Sequence, residues 1–367
     1  MKERLRTLLC ELMLIPGLAG HEGRVRRAIR ERLAPLALDC RTDMMGNLIA
    51  TLEGDAALPS VMLFTHMDQL GFVVRRIEPD GFIRVERLGG VPERALASQP
   101  VLLCVGEGRD IAGVIANKSH HATMPEEKFR VVPSTDLYID AGFASARQAR
   151  AAGVEIGTPV VYLPNVLTLG QDRIAGTAVD DRAGCAALVE AARMLTEERP
   201  RPTVHLVFAV QEEFNLRGAL TAAQVLRPAI AIQIDLILAA DTPDMHHRGE
   251  VLLGGGPAIS LYSFHGRGTL NGTLPHPALV RLFERAAETL GKPLQRSAHI
   301  GALTETSYVQ LVGAGVACID AGFPMRYSHS SLEMCDLNDL EGLVRLLVAA
   351  IAAIDSDFSL DRDDYVT

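Results

Sequence analysis

Several apolar, β-branched runs in this chain stop abruptly at side chains that can bind a metal or carry a proton. Val204-His205-Leu206-Val207-Phe208-Ala209-Val210 stops at Gln211-Glu212-Glu213, and Val61-Met62-Leu63-Phe64-Thr65 stops at His66-Met67-Asp68. Leu236-Ile237-Leu238-Ala239-Ala240 stops at Asp241. Gly315-Val316-Ala317-Cys318-Ile319 stops at Asp320, with His329 one loop further on. Asp180-Asp181 stands just before an Ala-rich stretch, 182–195, that reads as a helix. Imidazole and carboxylate donors suit zinc, cobalt or manganese. A set of two His, two Asp and a Glu, with one further Glu, can build two metal sites that share a carboxylate. Neighbouring residues on an extended strand point to opposite sides, so Glu212 and Glu213 have separate tasks, one toward a metal and one toward a proton. No pair has a diagnostic spacing; the signal is repeated placement at strand ends.

The elements that position these residues follow from the same runs. An uninterrupted apolar strand is buried on both faces, as in the parallel sheet of an α/β protein. Ligands of such sheets lie beyond the carboxyl ends of the strands. Helical patterns cover 2–14, 24–33, 182–195, 218–226, 277–290, 304–312 and 337–354. From Gly71 the character changes to short strands, with Pro79-Asp80-Gly81 as a turn between two of them. The expected architecture is therefore α/β, a mixed sheet flanked by helices, interrupted by a small all-β barrel. Residues 1–70 and 165–367 form the catalytic unit in two pieces, and 71–164 the insert.

Composition narrows the function classes. The chain has 367 residues, 48% of them hydrophobic, and a net charge of −9 without a basic block, which gives nucleic acid no footprint. Its apolar stretches have strand length and fall short of a membrane span. Residues 2–14 read as an amphipathic helix rather than a signal peptide, because Glu11 interrupts the apolar run. The six cysteines are scattered and read as buried thiols of a cytoplasmic protein. His120-His121 and His246-His247 read as solvent-facing pairs, His205 as structural and Cys185 as a packed thiol. Gly254-Gly255-Gly256 lacks the Lys and helix of a phosphate loop, and no Gly-x-Ser-x-Gly elbow is present. The acidic end, 355–367, reads as a surface tail.

Taken together, Thr65-His66-Met67-Asp68, Gly176-Thr177-Ala178-Val179-Asp180-Asp181-Arg182-Ala183-Gly184, Gln211-Glu212-Glu213, Ala240-Asp241 and Tyr327-Ser328-His329-Ser330 resemble the tetrahedral (TET) aminopeptidases. That family includes bacterial glutamyl aminopeptidases and belongs to the co-catalytic dizinc exopeptidases. Gly20-His21-Glu22, Gly113-Val114-Ile115 and Gly256-Pro257-Ala258-Ile259 also look like family segments, so the resemblance spans nearly the whole chain. It implies two divalent ions per subunit, zinc first, with cobalt or manganese as substitutes. It implies that Asp180 bridges them, that His66 and Asp241 complete one site, and that Glu213 and His329 complete the other. It further implies that Glu212 is the general base and acid, that Asp68 orients the His66 imidazole, and that the Asp180–Asp181 bond is cis.

The implied reaction is release of the N-terminal residue of short peptides. Two such ions would acidify a shared water and polarise the scissile carbonyl, while Glu212 passes the proton to the leaving amine. The resemblance also implies that the insert forms a dimer interface and that dimers build a twelve-subunit tetrahedral shell. One departure is Glu305 in Leu303-Thr304-Glu305-Thr306-Ser307, where the family has Asp; an added methylene reshapes a packed pocket. Two other functions fit the same residues: a metal-dependent deacylase or other amide hydrolase, and a metal-binding scaffold without catalysis. Retention of Glu212 argues against the scaffold, which has no use for a proton carrier. A glycosidase is disfavoured because its carboxylate pair needs no imidazole ligands.

Overall fold

Strand Val61–His66 is buried along its whole length, and the central sheet is assembled around it. The computed structural model describes residues 1–265 and 272–365. Val204–Ala209 and Ile230–Leu238 flank that strand, both parallel to it, and Ala317–Met325 extends the parallel set beyond Ile230–Leu238. Leu48–Leu52 joins the Val204–Ala209 edge antiparallel, and Ala258–Phe264 joins Ala317–Met325 antiparallel. The sheet is therefore mixed, with nine strands among the described residues.

Alternation along Val61–His66 shows how the layers form. Val61 and Leu63 enter one core with helices Lys2–Met13, Gly23–Leu33, Val179–Glu197, Pro277–Leu290 and Leu337–Ala352. Met62 and Phe64 enter the opposite core with Ala219, Ala222 and Ala223 of helix Gly218–Leu226 and with Val309. Two-residue periodicity thus places helices on both faces. Helix Pro277–Leu290 is a clear local case. His276 caps its first turn by accepting from Ala278 N–H, Pro277 opens it, and Gly291 closes it in a left-handed conformation. Its buried residues Leu279, Leu282, Phe283, Ala286 and Ala287 form one stripe.

Between Gly71 and Tyr162 the chain leaves the sheet and closes a six-strand antiparallel barrel. The barrel has its own core, which includes Phe72, Val74, Ile83, Val101, Leu103, Ile139 and Val160.

Several sequence readings shift in the structure. The strand expected at 236–240 spans Ile230–Leu238, and the one expected at 315–319 spans Ala317–Met325. In both, a buried polar residue inside the strand breaks the apolar run that marks it. Gln233 and Asp235 interrupt the first and Asp320 the second. Asp320 therefore lies within its strand, not at its end, where it accepts from the hydroxyls of Thr304 and Thr306. Strands Ala258–Phe264 and Gln295–Ile300 carry no continuous apolar run and are not foreseen. Neither is a small sheet of Val166–Leu169, Arg173–Gly176 and Glu333–Asp336. Of the expected tail, Val366 and Thr367 lie outside the described residues. Among the described residues, no helix is long and apolar enough to cross a membrane.

Candidate metal centre

Strands Val61–His66 and Val204–Ala209 end side by side, Ile230–Leu238 and Ala317–Met325 run past them, and the side chains at and beyond this level converge. His66 is the last residue of its strand and is buried. Its Nε2 lies 3.0 Å from Asp180 Oδ1 and 4.0 Å from Glu212 Oε2. On the far side of the same carboxylate, Asp180 Oδ2 lies 3.6 Å from His329 Nε2, which is 3.9 Å from Glu213 Oε2. Asp180 thus turns one oxygen toward each imidazole. Two groups of three result, His66 with Glu212 and Asp235, and Asp180 with Glu213 and His329. Within each group, ligand atoms lie within 4.8 Å of one another.

Asp241 does not join them. The structure places it in an ion pair with Arg326, whose Nε and Nη2 donate to it at 2.7 and 2.6 Å, and it also accepts from Leu253 N–H at 3.0 Å. Asp235 occupies the expected position instead. The ladder pairs Ile230 with Val61 and Gln233 with Phe64, so two residues further on Asp235 stands level with His66. Asp241 lies beyond the end of that strand, past the sheet edge. Gln233 Nε2 and Leu236 N–H donate to Asp235 at 2.9 and 2.6 Å, which fixes its carboxylate.

The backbone that carries these side chains is itself held by buried polar groups. Asp68 accepts from the N–H groups of Glu212 and Glu213, each at 3.0 Å. The His66 imidazole is held by the Asp68 main-chain carbonyl, 3.1 Å from Nδ1, while the nearer Asp68 carboxylate oxygen is 3.6 Å away. Asp68 therefore orients the ring through its backbone and uses its side chain on the Glu212-Glu213 loop. Asn47 closes that loop by accepting from Val210 N–H and donating to Gly218 O, both at 3.0 Å. Asp181, joined to Asp180 by a cis peptide, faces away from the cavity and accepts from the Thr65 hydroxyl and from Gly184 N–H. A Cβ at residue 184 would lie 2.3 Å from Asp181 Oδ2, so only glycine fits there.

Some contacts had no signal in the sequence. The carbonyl of Gly90, in the barrel, accepts from His329 Nδ1–H at 3.0 Å, which fixes the proton of that imidazole on Nδ1. A Cβ on Gly90 would sit 2.6 Å from that nitrogen. The insert thus reaches the centre although it supplies none of the six side chains. Glu305 is fully buried and accepts from Ala219 N–H at 2.6 Å, at the start of helix Gly218–Leu226. It braces that helix and does not line the cavity; burial pushes its carboxyl up to about 8. The histidine pairs at 120–121 and 246–247 stay outside the centre, and Cys185 is buried, its thiol pushed up to about 12 by burial.

A cavity of about 540 Å³ opens onto the centre. Leu216, Leu236, Leu238, Leu303 and Tyr308 form much of its wall. Asp180, Glu212, Glu213 and Asp235 are its acidic residues, and no Lys or Arg lines it among the described residues. Burial, followed by repulsion from neighbouring acids, raises the carboxyls of Glu212 and Glu213 well above the ordinary range and Asp235 to about 7. For His66, burial alone would lower the pKa, but Glu212, Asp180 and Asp68 raise it well above the ordinary value. Glu213 Oε1 is buried without a hydrogen-bond partner. Crowded carboxylates, an orphaned buried oxygen and inward imidazoles form a donor set that a divalent cation fits, because the cation offsets the repulsion.

The chain matches the family described as M42 glutamyl aminopeptidase over residues 46–346. It is 36% identical to SgcX of Escherichia coli (strain K12), a provisionally named aminopeptidase, over 98% of this chain and 96% of that one. It is 29% identical to the lysyl aminopeptidase of Pyrococcus furiosus, over 94% and 96% of the two chains. The TET1 peptidase of Pyrococcus horikoshii, which assembles into a tetrahedron or a large octahedral shell, superposes with a TM-score of 0.84 at 29% identity, covering 96% of this chain and 99% of that one. A match that runs from Gly46 through the barrel to the closing helix takes in both halves of the sheet and every residue of the centre, and on it the chain belongs to the M42 glutamyl aminopeptidase family.

Proposed function

We propose that this chain is a metal-dependent aminopeptidase that removes the N-terminal residue of short peptides. The observation that carries this reading is the pair of acid–imidazole groups meeting at Asp180, with Glu212 at their cavity face. His66, Asp180 and Asp235 would hold one divalent ion, and Asp180, Glu213 and His329 the other. Such ions supply Lewis acidity toward the scissile carbonyl and make an attacking water easier to deprotonate. Glu212 is the proton carrier. Its carboxylate carries no hydrogen bond from the described residues, whereas that of Asp235 is fixed by two. An unfixed carboxylate beside the reacting carbonyl can accept the water proton and deliver it to the departing amine nitrogen. Acidic groups at the cavity floor favour a free, positively charged α-amino group and so select the chain end.

The test is release of a fluorogenic amine from aminoacyl substrates and from their N-acetylated counterparts, by protein loaded with zinc, cobalt or manganese. Free-amine substrates are expected to be cleaved and blocked ones not; the reverse pattern would establish an amide hydrolase that does not act on free chain ends. Outside the acidic centre, the described cavity wall carries no Lys, Arg, Asp or Glu, and His265 is its one further side chain that can take a positive charge. Leucyl and methionyl substrates are therefore expected to turn over faster than glutamyl or lysyl ones, since an unpaired charge resists burial.

Self-association belongs to the same proposal. The barrel exposes Met124, Phe129, Val131 and Val132, with Phe129 95% exposed. Apolar residues gathered on one segment are a surface that a second copy can cover. A homodimer built through the barrel, and a dodecamer built from dimers, are expected in light scattering at micromolar protein; a stable monomer would defeat both, and a dimer that grows no further would defeat the dodecamer.

A further inference from the structure

The ligand side chains come from separate strands, a helix start and loops, and what sets the distance between those segments decides whether a metal finds them in place. Glu333 bridges two of the segments. It is the first residue of strand Glu333–Asp336 and is 2% exposed. Its Oε2 accepts from Asp180 N–H at 3.0 Å and its Oε1 accepts from His329 N–H at 2.7 Å. One carboxylate therefore holds the main chains of two residues assigned to the same ion, 149 positions apart in a chain numbered from Asp180 to His329. The strand itself is anchored on both sides. It pairs antiparallel with Arg173–Gly176, which leads into Asp180, and Arg326 and Met334 exchange N–H donors to each other's carbonyls at 3.0 Å. Tyr327 and His329 both adopt left-handed backbone conformations, φ 62° and 67°, in the turn that this bridge closes.

We propose that Glu333 is a positioning residue, a clamp that sets Asp180 and His329 at the separation the second metal site requires. The inference rests on the metal-dependent reading given above. Asp68 makes the same arrangement across Glu212 N–H and Glu213 N–H. Neither Asp68 nor Glu333 lines the cavity, so both act through the residues they hold. Two acceptor oxygens are what the task demands. A glutamine of the same shape offers one acceptor and turns an NH₂ toward the other N–H, which leaves that backbone donor unpaired. The His329 ring stays tied to Gly90 at Nδ1, so loss of the clamp frees the backbone of the turn while the ring remains tethered.

The experiment is stepwise metal titration, by calorimetry and by the visible absorption of cobalt, of the full-length wild type and of Glu333→Gln. The affinity of the site held by Asp180, Glu213 and His329 is expected to fall about 10- to 100-fold in the variant, as for other groups that hold metal ligands. The other site should change far less, so the ratio of the two stepwise affinities shifts. A purely structural role would lower the melting temperature without moving that ratio. A folded Glu333→Gln with the wild-type ratio overturns the proposal. Wild-type protein that binds no metal overturns the underlying reading and the clamp with it. A measurement on the wild type alone keeps the question open to refutation should the variant not fold. In metal-free protein, the amides of Asp180 and His329 are expected to be protected from hydrogen exchange, and free exchange at both overturns the clamp.

Discussion

Glu212→Gln is expected to lower kcat by about 10²-fold or more while both metals stay bound, the loss that follows removal of a positioned general base. The substitution keeps the shape of the side chain and removes its capacity to take a proton. Its backbone would be undisturbed, because Glu212 N–H is held by Asp68 and not by its own carboxylate. Glu213→Gln is the informative contrast. That carboxylate faces His329 and presents the unpartnered buried oxygen, so its loss is expected to reduce occupancy of one metal. Turnover near the wild-type rate in Glu212→Gln, with metal content confirmed by elemental analysis, would remove Glu212 from the reaction. A variant that loses metal together with activity would instead make Glu212 a ligand, as its place beside His66 and Asp235 allows.

The residues that signalled themselves in the sequence were those at the ends of unbroken apolar strands. His66 ends Val61–His66, and Glu212-Glu213 follow Val204–Ala209, and a strand buried on both faces is apolar over most of its length, so the ionisable residues at its end stand out. Helices 218–226 and 277–290 were legible with their bounds, since small or apolar stripes and end signals agree there. Asp235 was hidden for the opposite reason. It lies inside Ile230–Leu238 beside Gln233, and the two bond to each other, so the strand carries its own buried polar pair. Only the ladder, which sets Ile230 against Val61, shows that this position reaches the level of His66. Glu333 and Gly90 act on backbone or ring atoms far away in sequence, and no local pattern encodes such a partner. The Asp181 carboxylate, by contrast, is explained by its neighbours Thr65 and Gly184 once the strand and helix are packed.

Removal of divalent metal is expected to abolish activity, and zinc, cobalt or manganese to restore it, because the donors are oxygen and nitrogen with no thiolate among them. The two candidate aspartates separate the geometry from the sequence pattern within the same assay. Asp235→Asn is expected to lose one ion at stoichiometric metal and most of the rate, since a neutral amide is a much weaker ligand than a carboxylate and His66 and Asp180 are the ligands that remain. Asp241→Asn is expected to retain both ions. It weakens the pair with Arg326, which lies only three residues before His329, so stability should fall by about 1–3 kcal/mol for a partly buried charged hydrogen bond. Elemental analysis after gel filtration, alongside thermal melts, reads both effects. Loss of a metal in Asp241→Asn with full occupancy in Asp235→Asn would return the ligand to the strand-end position and remove the ladder argument. Activity that survives exhaustive chelation, with no metal detected, would place the chemistry on groups other than the six that meet at the centre.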